Sequence, residues 1–561
     1  MKRALKKVIS GAICTGIAVS NVFAVGCGGR TSGEKRDPDK IQIECAIADV
    51  GMGTEWLYNL KARFEKDYEN AQIMINLVTT ELETTSIAST LASYDYDVLF
   101  TNSGIASMEG VDNLVLDLTD IVTKDVYDAN GNYVKSGGTL SMEDRLQPYT
   151  GYLDSVVKKD ASGKNQYLTT PYYIAPYGCW YDVDLFEAEG YFELGYAGLD
   201  GEYGTDDDMW GADGVENTFD DNLPATFTDY RTLIETIAAD GHTPFTWSGL
   251  HSWMRTFYLE LIYMNYEGIN DYSLNWTLNG VDEQDDIGTV TLEDSYKLIN
   301  QDGRKAMLKM ADFMTSSAEY FSGDAFKSAQ THLEAQHDFL GSVQRTGAKQ
   351  IAMILDGAWW ENEAKSYMNE MAQEKGAKYG HGVRRFGYLP IPHFEADETI
   401  GLAEQKNTKN VLRCGRVADV LVNKKAEKAN AAKRALVEDF ILYMQSYASL
   451  KDFSQTTGVI RPIQSHFTEK DVKGFTYMAQ QVYDLVDKSD LFIPTLEMTN
   501  SALKFSAGTE WMVGSKVGES VYNEPMLAFA ESNVTVAQYL AGQKVRYDEE
   551  SWNKKIAAGQ K

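Results

Sequence analysis

Tyr167-Leu-Thr-Thr-Pro-Tyr-Tyr-Ile-Ala-Pro-Tyr-Gly-Cys-Trp-Tyr-Asp-Val-Asp-Leu-Phe186 decides how the rest of this chain is read. It is apolar and aromatic, carries Pro171, Pro176 and Gly178, and runs into a helix-start pattern at Asp184-Leu-Phe-Glu187. Proline disfavours helix for the residue before it, so the stretch reads as two short extended runs meeting at a proline-marked junction. A chain that leaves one lobe, enters a second and lines the cleft between them would look like this. Side chains alternate along a strand, so Tyr177 and Trp180 point to opposite faces, and Tyr177 is the ring expected in the cleft.

A length of 561 residues exceeds one ordinary core and calls for two or more domains. Lys and Arg number 52 against 82 Asp and Glu, a net charge of −30, which disfavours nucleic acid and anionic lipid as partners. Lys2, Arg3, Lys6 and Lys7 precede a mostly apolar run from Val8 to Val25, the layout of an export signal. Ser10, Thr15, Ser20 and Asn21 interrupt that run, which argues against a membrane-spanning anchor. Ala24-Val-Gly-Cys27 then resembles a bacterial lipobox, implying removal of residues 1–26 and lipidation of Cys27. Residues 27–40 read as a flexible tether. Cys45, Cys179 and Cys414 would remain with Cys27, so one disulfide at most can form among the three, and no Cys/His spacing suggests zinc.

Past the tether, Ile41–Ala48 alternates like a strand, Asp49–Gly53 is a glycine-rich turn, and Thr54 is placed to cap a helix. Trp56, Leu57, Leu60 and Phe64 recur at helical spacing. Gln72–Val78 is a second strand, residues 84–93 a helix, and Asp97–Phe100 a third strand. Strand–helix alternation implies a parallel sheet, and such sheets bind ligands beyond the carboxyl ends of their strands. Glu55 and Asn102 sit at those ends.

This order resembles the extracellular solute-binding proteins of carbohydrate ABC transporters, the group that includes maltodextrin-binding protein. Tyr172–Phe186 is similar to the family's first hinge crossing, Pro224-Ala-Thr-Phe-Thr-Asp-Tyr230 to its helix start, Gln350–Trp360 to the strand delivering a sugar-stacking ring, and Gly387–Pro392 to the strand after it. Thr456–Pro462 resembles the last crossing, and Gly508–Trp511 opens a helix where the family places another stacking aromatic. The resemblance implies an α/β, two-lobe periplasmic-binding-protein-like fold of type II. Each lobe is a mainly parallel sheet flanked by helices, with hinge crossings and an acidic loop insertion. Residues 41–173 and 410–458 are expected to form lobe 1, and 174–409 with 459–561 lobe 2.

The insertion, 196–223, contains Gly198-Leu-Asp-Gly-Glu-Tyr-Gly-Thr-Asp-Asp-Asp208 and Gly211-Ala-Asp-Gly-Val-Glu-Asn-Thr-Phe-Asp-Asp221. Asp200, Thr205, Asp207 and Asp208 recur as Asp213, Thr218, Asp220 and Asp221. So short and acidic a repeat cannot bury a core, and its carboxylates repel unless neutralised. Structural Ca2+ is expected there, on those residues with Glu202 and Glu216, although the EF-hand pattern is not met.

A pyranose has apolar faces rimmed by hydroxyls, so it suits flat rings beside polar side chains. Trp359, Tyr177, Trp247 and Trp511 are candidates for the faces. Asp356, Glu55, Asn102, Arg461 and the cleft-wall His251 are candidates for the polar contacts. Trp253 suits the cleft wall and the core equally. No nucleophile elbow or phosphate-cradling loop is present, so no catalytic residue is assigned. The expected protein is a lipid-anchored monomer on the outer face of the cell membrane, touching the membrane through the lipid only, that captures a carbohydrate and hands it to ABC permease subunits. A secreted glycoside hydrolase, or a receptor for peptides or a signalling ligand, is the alternative.

Overall fold

The computed structural model describes residues 34–559 apart from 79–81, 83, 105–109, 160–161, 217, 286 and 345–348. The export signal and Cys27 lie outside the described residues. Nine strands make one hydrogen-bonded sheet. They are β1 Ile41–Ala48, β2 Ala71–Val78, β3 Val98–Phe100, β4 Thr170–Asp182, β5 Thr243–Thr246, β6 Ile351–Gly357, β7 Phe386–Leu389, β8 Val411–Val422 and β9 Asp490–Phe492. The order is β2-β1-β3-β8-β4-β6-β5, with β7 also on β4 and β9 also on β8. Pairing is parallel for β1 with β2 and β3, β6 with β5, and β8 with β9, and antiparallel wherever β4 joins a neighbour. The two lobes' sheets are therefore continuous through β4 and β8.

The opening stretch is one strand, not two runs. β4 is 13 residues long and buried throughout. Its first part, Thr170 to Pro176, pairs with β8, while Tyr177 to Asp182 lies between β6 and β7. The prolines do not break it because the ladder is irregular beside each. Pro176 lies at a register shift with an extra residue on β8, between Cys414 and Arg416, and Pro171 at a second where the extra residue is Tyr172 of β4 itself, opposite Ala418 and Asp419. Bulges relax the ladder where a proline has no N–H to give. Pro176 still accepts from Ala358 N at 2.8 Å. Ile174 N donates to Ile460 O at 3.0 Å, bringing the Thr456–Pro462 segment alongside.

The first helix, Glu55–Asp67, buries Trp56, Leu57, Leu60 and Phe64 as their spacing predicts, but Thr54 makes no side-chain cap bond. Thr226 and Asp229 do form a reciprocal capping box at the helix Phe227–Ala239. Cys45, Cys179 and Cys414 are free and buried, and burial pushes the Cys414 thiol up to about 12. No helix among the described residues is long and apolar enough to cross a membrane.

Candidate functional site

The handover of β4 from β8 to β6 falls at Pro176–Tyr177, so the next side chains on β4 and β6 lie beside that junction. Tyr177 is fully buried and packs on Phe257 at 5.8 Å and Trp359 at 6.4 Å between ring centroids. Its hydroxyl has no hydrogen-bond partner, a polar group held dry beside two rings. Trp180 points the other way, against Tyr388, with its indole N–H on Asp356 O at 3.0 Å.

β6 delivers Asp356, Gly357 and, two residues on, Trp359. The Trp359 indole lies directly over Gly357, where any Cβ would overlap its ring. That is the physical reason for the glycine in this motif. One Asp356 oxygen accepts from Gly357 N at 2.7 Å. The other accepts from Gln336 Nε2 at 3.0 Å, and the same amide donates to Glu363 Oε2 at 2.8 Å. His332 Nε2 stands 3.8 Å from the second Glu363 oxygen. The helix Ser252–Thr277 adds Trp253 and Phe257, 5.1 Å apart, with His251 bridging from Trp253 at 6.0 Å to His332 at 5.4 Å. Four rings and a polar row of Asp356, Gln336, Glu363 and His332 thus share one wall.

The first lobe meets this wall through the Asp49–Gly53 turn. Asn362 Nδ2 donates to Gly51 O at 2.8 Å. A Cβ on Gly51 would come within 2.9 Å of Glu363 Oε1 and 3.1 Å of Trp359 Cδ1, so a larger residue would have to shift both side chains. Glu55 pairs with Lys365 at 3.0 Å, but its side chain is 64% exposed, so the pair closes the rim and adds little energy.

Four expected site residues lie elsewhere. Trp247 is fully buried among Phe321 and Phe326. Trp511 is fully buried against Tyr547 and Trp552, and its N–H is taken by Asn275 Oδ1 at 2.8 Å. Arg461 holds the carbonyls of Tyr172 and Met444 and lies over Phe453, and burial lowers its pKa to about 9. Asn102 exchanges hydrogen bonds with the backbone of Leu82. All four are buried in packing away from this wall, and the Trp247 indole N–H has no hydrogen-bond partner. Tyr177, His251, Asp356 and Trp359 are brought together, with Glu55 on the opposite rim. Trp253, Phe257, His332, Gln336 and Glu363 join them. The i,i+4 spacings of Trp253 with Phe257 and of His332 with Gln336 are the signals that mark them in the sequence.

Next to the site, Glu361 is buried; one oxygen accepts from the Thr476 hydroxyl at 2.6 Å and the other has no partner. Burial pushes its pKa from 4.5 up to about 7. The folded state holds this proton after the unfolded chain has lost it, so its contribution to stability is full below about pH 4.5 and is lost as pH rises through 7. The shift corresponds to roughly 3 kcal/mol. Glu361→Gln is expected to flatten the stability–pH profile between pH 4.5 and 7.5 by about that amount, read from urea titrations. An equally steep profile in the variant would refute it.

The acidic insertion folds as two like turns. Thr205 Oγ1 donates to Asp207 and Asp208 at 2.9 and 2.7 Å, and Thr218 Oγ1 to Asp220 and Asp221 at 2.7 and 3.4 Å. Asp207 also accepts from Leu199 N and Asp200 N, and Asp220 from Asp213 N. Asp200 accepts from Glu202 N and Asp213 from Val215 N. Glu202 and Glu216 are exposed. The carboxylates are satisfied locally, and the convergent carboxylate trio among the described residues lies in a different part of the chain. Asp220 is fully buried, and burial with Asp213 pushes its pKa to about 6.

No protein-family model and no curated protein matches this sequence. Solved structures do match it over nearly their whole length. The solute-binding protein RafE, known from Streptococcus pneumoniae and solved in complex with raffinose, aligns at a TM-score of 0.51 and 15% identity over 91% of this chain and 100% of its own. AcbH, a bacterial solute receptor described as exclusive for β-D-galactopyranose, aligns at 0.54 and 12% over 92% and 99%. A probable secreted solute-binding lipoprotein from Streptomyces coelicolor aligns at 0.53 and 11% over 91% and 99%. At such identities the likeness concerns the fold, and the fold is that of the two-lobe solute-binding proteins.

Proposed function

We propose that the chain is an extracellular solute-binding protein that captures a carbohydrate between its lobes and delivers it to the permease of an ABC importer. The observation that carries this reading is the convergence of Trp359, Tyr177, Trp253 and Phe257 with Asp356, Gln336, Glu363 and His332 beside the β4 handover. Rings offer faces to a pyranose, and the carboxylates and amides take its hydroxyls. Two structural neighbours, RafE in complex with raffinose and the galactopyranose receptor AcbH, support the ligand class. Four rings on one wall favour an oligosaccharide. The lipobox-like Ala24–Cys27 supports anchoring by a lipid on Cys27 after loss of residues 1–26. Lobe 1 is 41–173 with 410–458, and lobe 2 is 174–409 with 459–561. Calcium in the 196–223 loop is a separate part of the proposal, supported by the repeated acidic pattern and not by a converged cage.

A glycan array followed by calorimetry on the binding sugar tests the reading. Saturable, stoichiometric binding without consumption of the sugar is expected. Steady hydrolysis of the bound glycan would turn the reading to a glycosidase, because Asp356 and Glu363 are both within reach of one Gln336 amide. Saturable binding of short peptides and of no glycan would turn it to a peptide receptor.

A further inference from the structure

The helix Ser252–Thr277 breaks at Gly268, whose φ of 76° and ψ of 163° are non-helical. Immediately before the break stands Glu267, and one turn beyond it Asp271. Both face the hairpin formed by Gly280–Asp282 and Gly288–Val290, and the turn that follows Asp282. Glu267, Asp271 and Asp282 are 4%, 7% and 2% exposed, and each offers an oxygen within 4.8 Å of the others. Asp285 and Asp302 complete the surroundings: Asp282 accepts from Asp285 N at 3.1 Å, and Asp285 from Asp302 N at 3.1 Å.

Burying so many carboxylates together needs positive charge, and the protein supplies little. Lys305 pairs with Asp302 at one edge. Arg304 spends its guanidinium on the carbonyls of Leu298, Trp511 and Met512 and on Asn275. Among the described residues no ion pair reaches Glu267, Asp271, Asp282 or Asp285. Backbone and amide donors hold part of each group: Gly303 N on Glu267 Oε1, Glu283 N and Gln284 N on Asp271, Gln301 Nε2 on Asp282. The second oxygen of Glu267 is buried and accepts from no donor, with the Asp285 carboxyl as its neighbour. An acceptor-only group left so, among like charges, is stable only with a proton or a cation.

We infer that Glu267, Asp271 and Asp282 form a buried site for a divalent, oxygen-liganded cation of the calcium type, which ties the break in the long helix to the 280–285 turn. Carboxylate oxygens are hard ligands, and calcium accepts an irregular shell of about 6–8 of them where magnesium demands an octahedron. Protonation is the competing way to neutralise the cluster. Burial and the neighbouring Asp285 push Glu267 well above its ordinary range. This site is distinct from the 196–223 loop and independent of the sugar reading.

The test is calcium calorimetry and thermal melting on the whole chain after stripping with a chelator. Glu267→Gln/Asp282→Asn is expected to bind one calcium fewer than the unchanged chain, while Asp207→Asn/Asp220→Asn in the acidic loop keeps that ion. Glu267→Gln alone removes repulsion, so its melting temperature without calcium should be no lower than that of the unchanged chain, yet the calcium-induced rise should fall away. An unchanged stoichiometry in the double variant, or a full calcium-induced rise in Glu267→Gln, overturns the inference.

Discussion

Asp182→Ala is expected to destabilise the protein by about 3–5 kcal/mol, the cost of stranding a buried charge. Asp182 ends β4 and does two jobs at once. One carboxylate oxygen accepts from the backbone N–H of Asp184 and Leu185 at 3.1 and 3.2 Å, capping the helix Val183–Glu189. The other takes both Nε and Nη2 of Arg384. The two side chains are 3% and 2% exposed, so the guanidinium has no water to fall back on once the carboxylate is gone. It keeps only the Leu340 carbonyl, at 2.9 Å. The cap alone accounts for about 1 kcal/mol of the loss. Asp182→Asn retains an oxygen for the cap but not the charge, and should fall between. Pairing Asp182→Ala with Arg384→Met removes the stranded cation and should restore much of the difference, because charge pair and apolar pair compete closely in a dry interior. Urea midpoints at constant slope measure all three variants. A single-variant loss under 1 kcal/mol would mean that water reaches Arg384 after all.

The same strand shows where sequence reading succeeds and where it stops. The helix at 55–67 was legible because its apolar spacing is a local property, and so was the opposed parity of Tyr177 and Trp180. The continuity of β4 was not, because Pro176 is accommodated by a register shift in β8, more than two hundred residues away. Tryptophans show the same limit. Trp359 is legible from the glycine it covers, whereas the fate of Trp511 is decided by Asn275 and Arg304, which no local pattern connects to it. Trp247 and Trp253 are neighbours on one short segment, and only packing on Phe321 and Phe326 sends the first to the core and leaves the second half-buried at the site. The carboxylates around Glu267 escape notice because a glycine inside a helical pattern reads as a minor cost, not as a break that turns two acids toward a hairpin.

Gly357→Ala should abolish tight sugar binding while leaving the fold largely in place. At the end of β6 the α-carbon of Gly357 is roofed by the six-membered edge of the Trp359 indole, and a methyl group there would occupy the ring's own space. β6 cannot retreat, since it is hydrogen-bonded to β4 on one side and β5 on the other. The ring must move instead. It is only 4% exposed and lies beside Tyr177 and the Gly51 turn, so moving it disturbs the aromatic wall and the lobe contact together. Over-packing of this kind costs about 1–3 kcal/mol of stability. Losing a central aromatic contact costs about 2 kcal/mol or more of binding, roughly a thirtyfold weakening. Trp359→Ala should weaken binding by a similar factor, by deletion instead of displacement. The two changes act through one ring, so the double variant should bind no worse than Trp359→Ala alone. Calorimetry with the array-identified glycan decides the matter: wild-type affinity in Gly357→Ala, or additive losses in the double variant, would place the sugar somewhere other than on this indole.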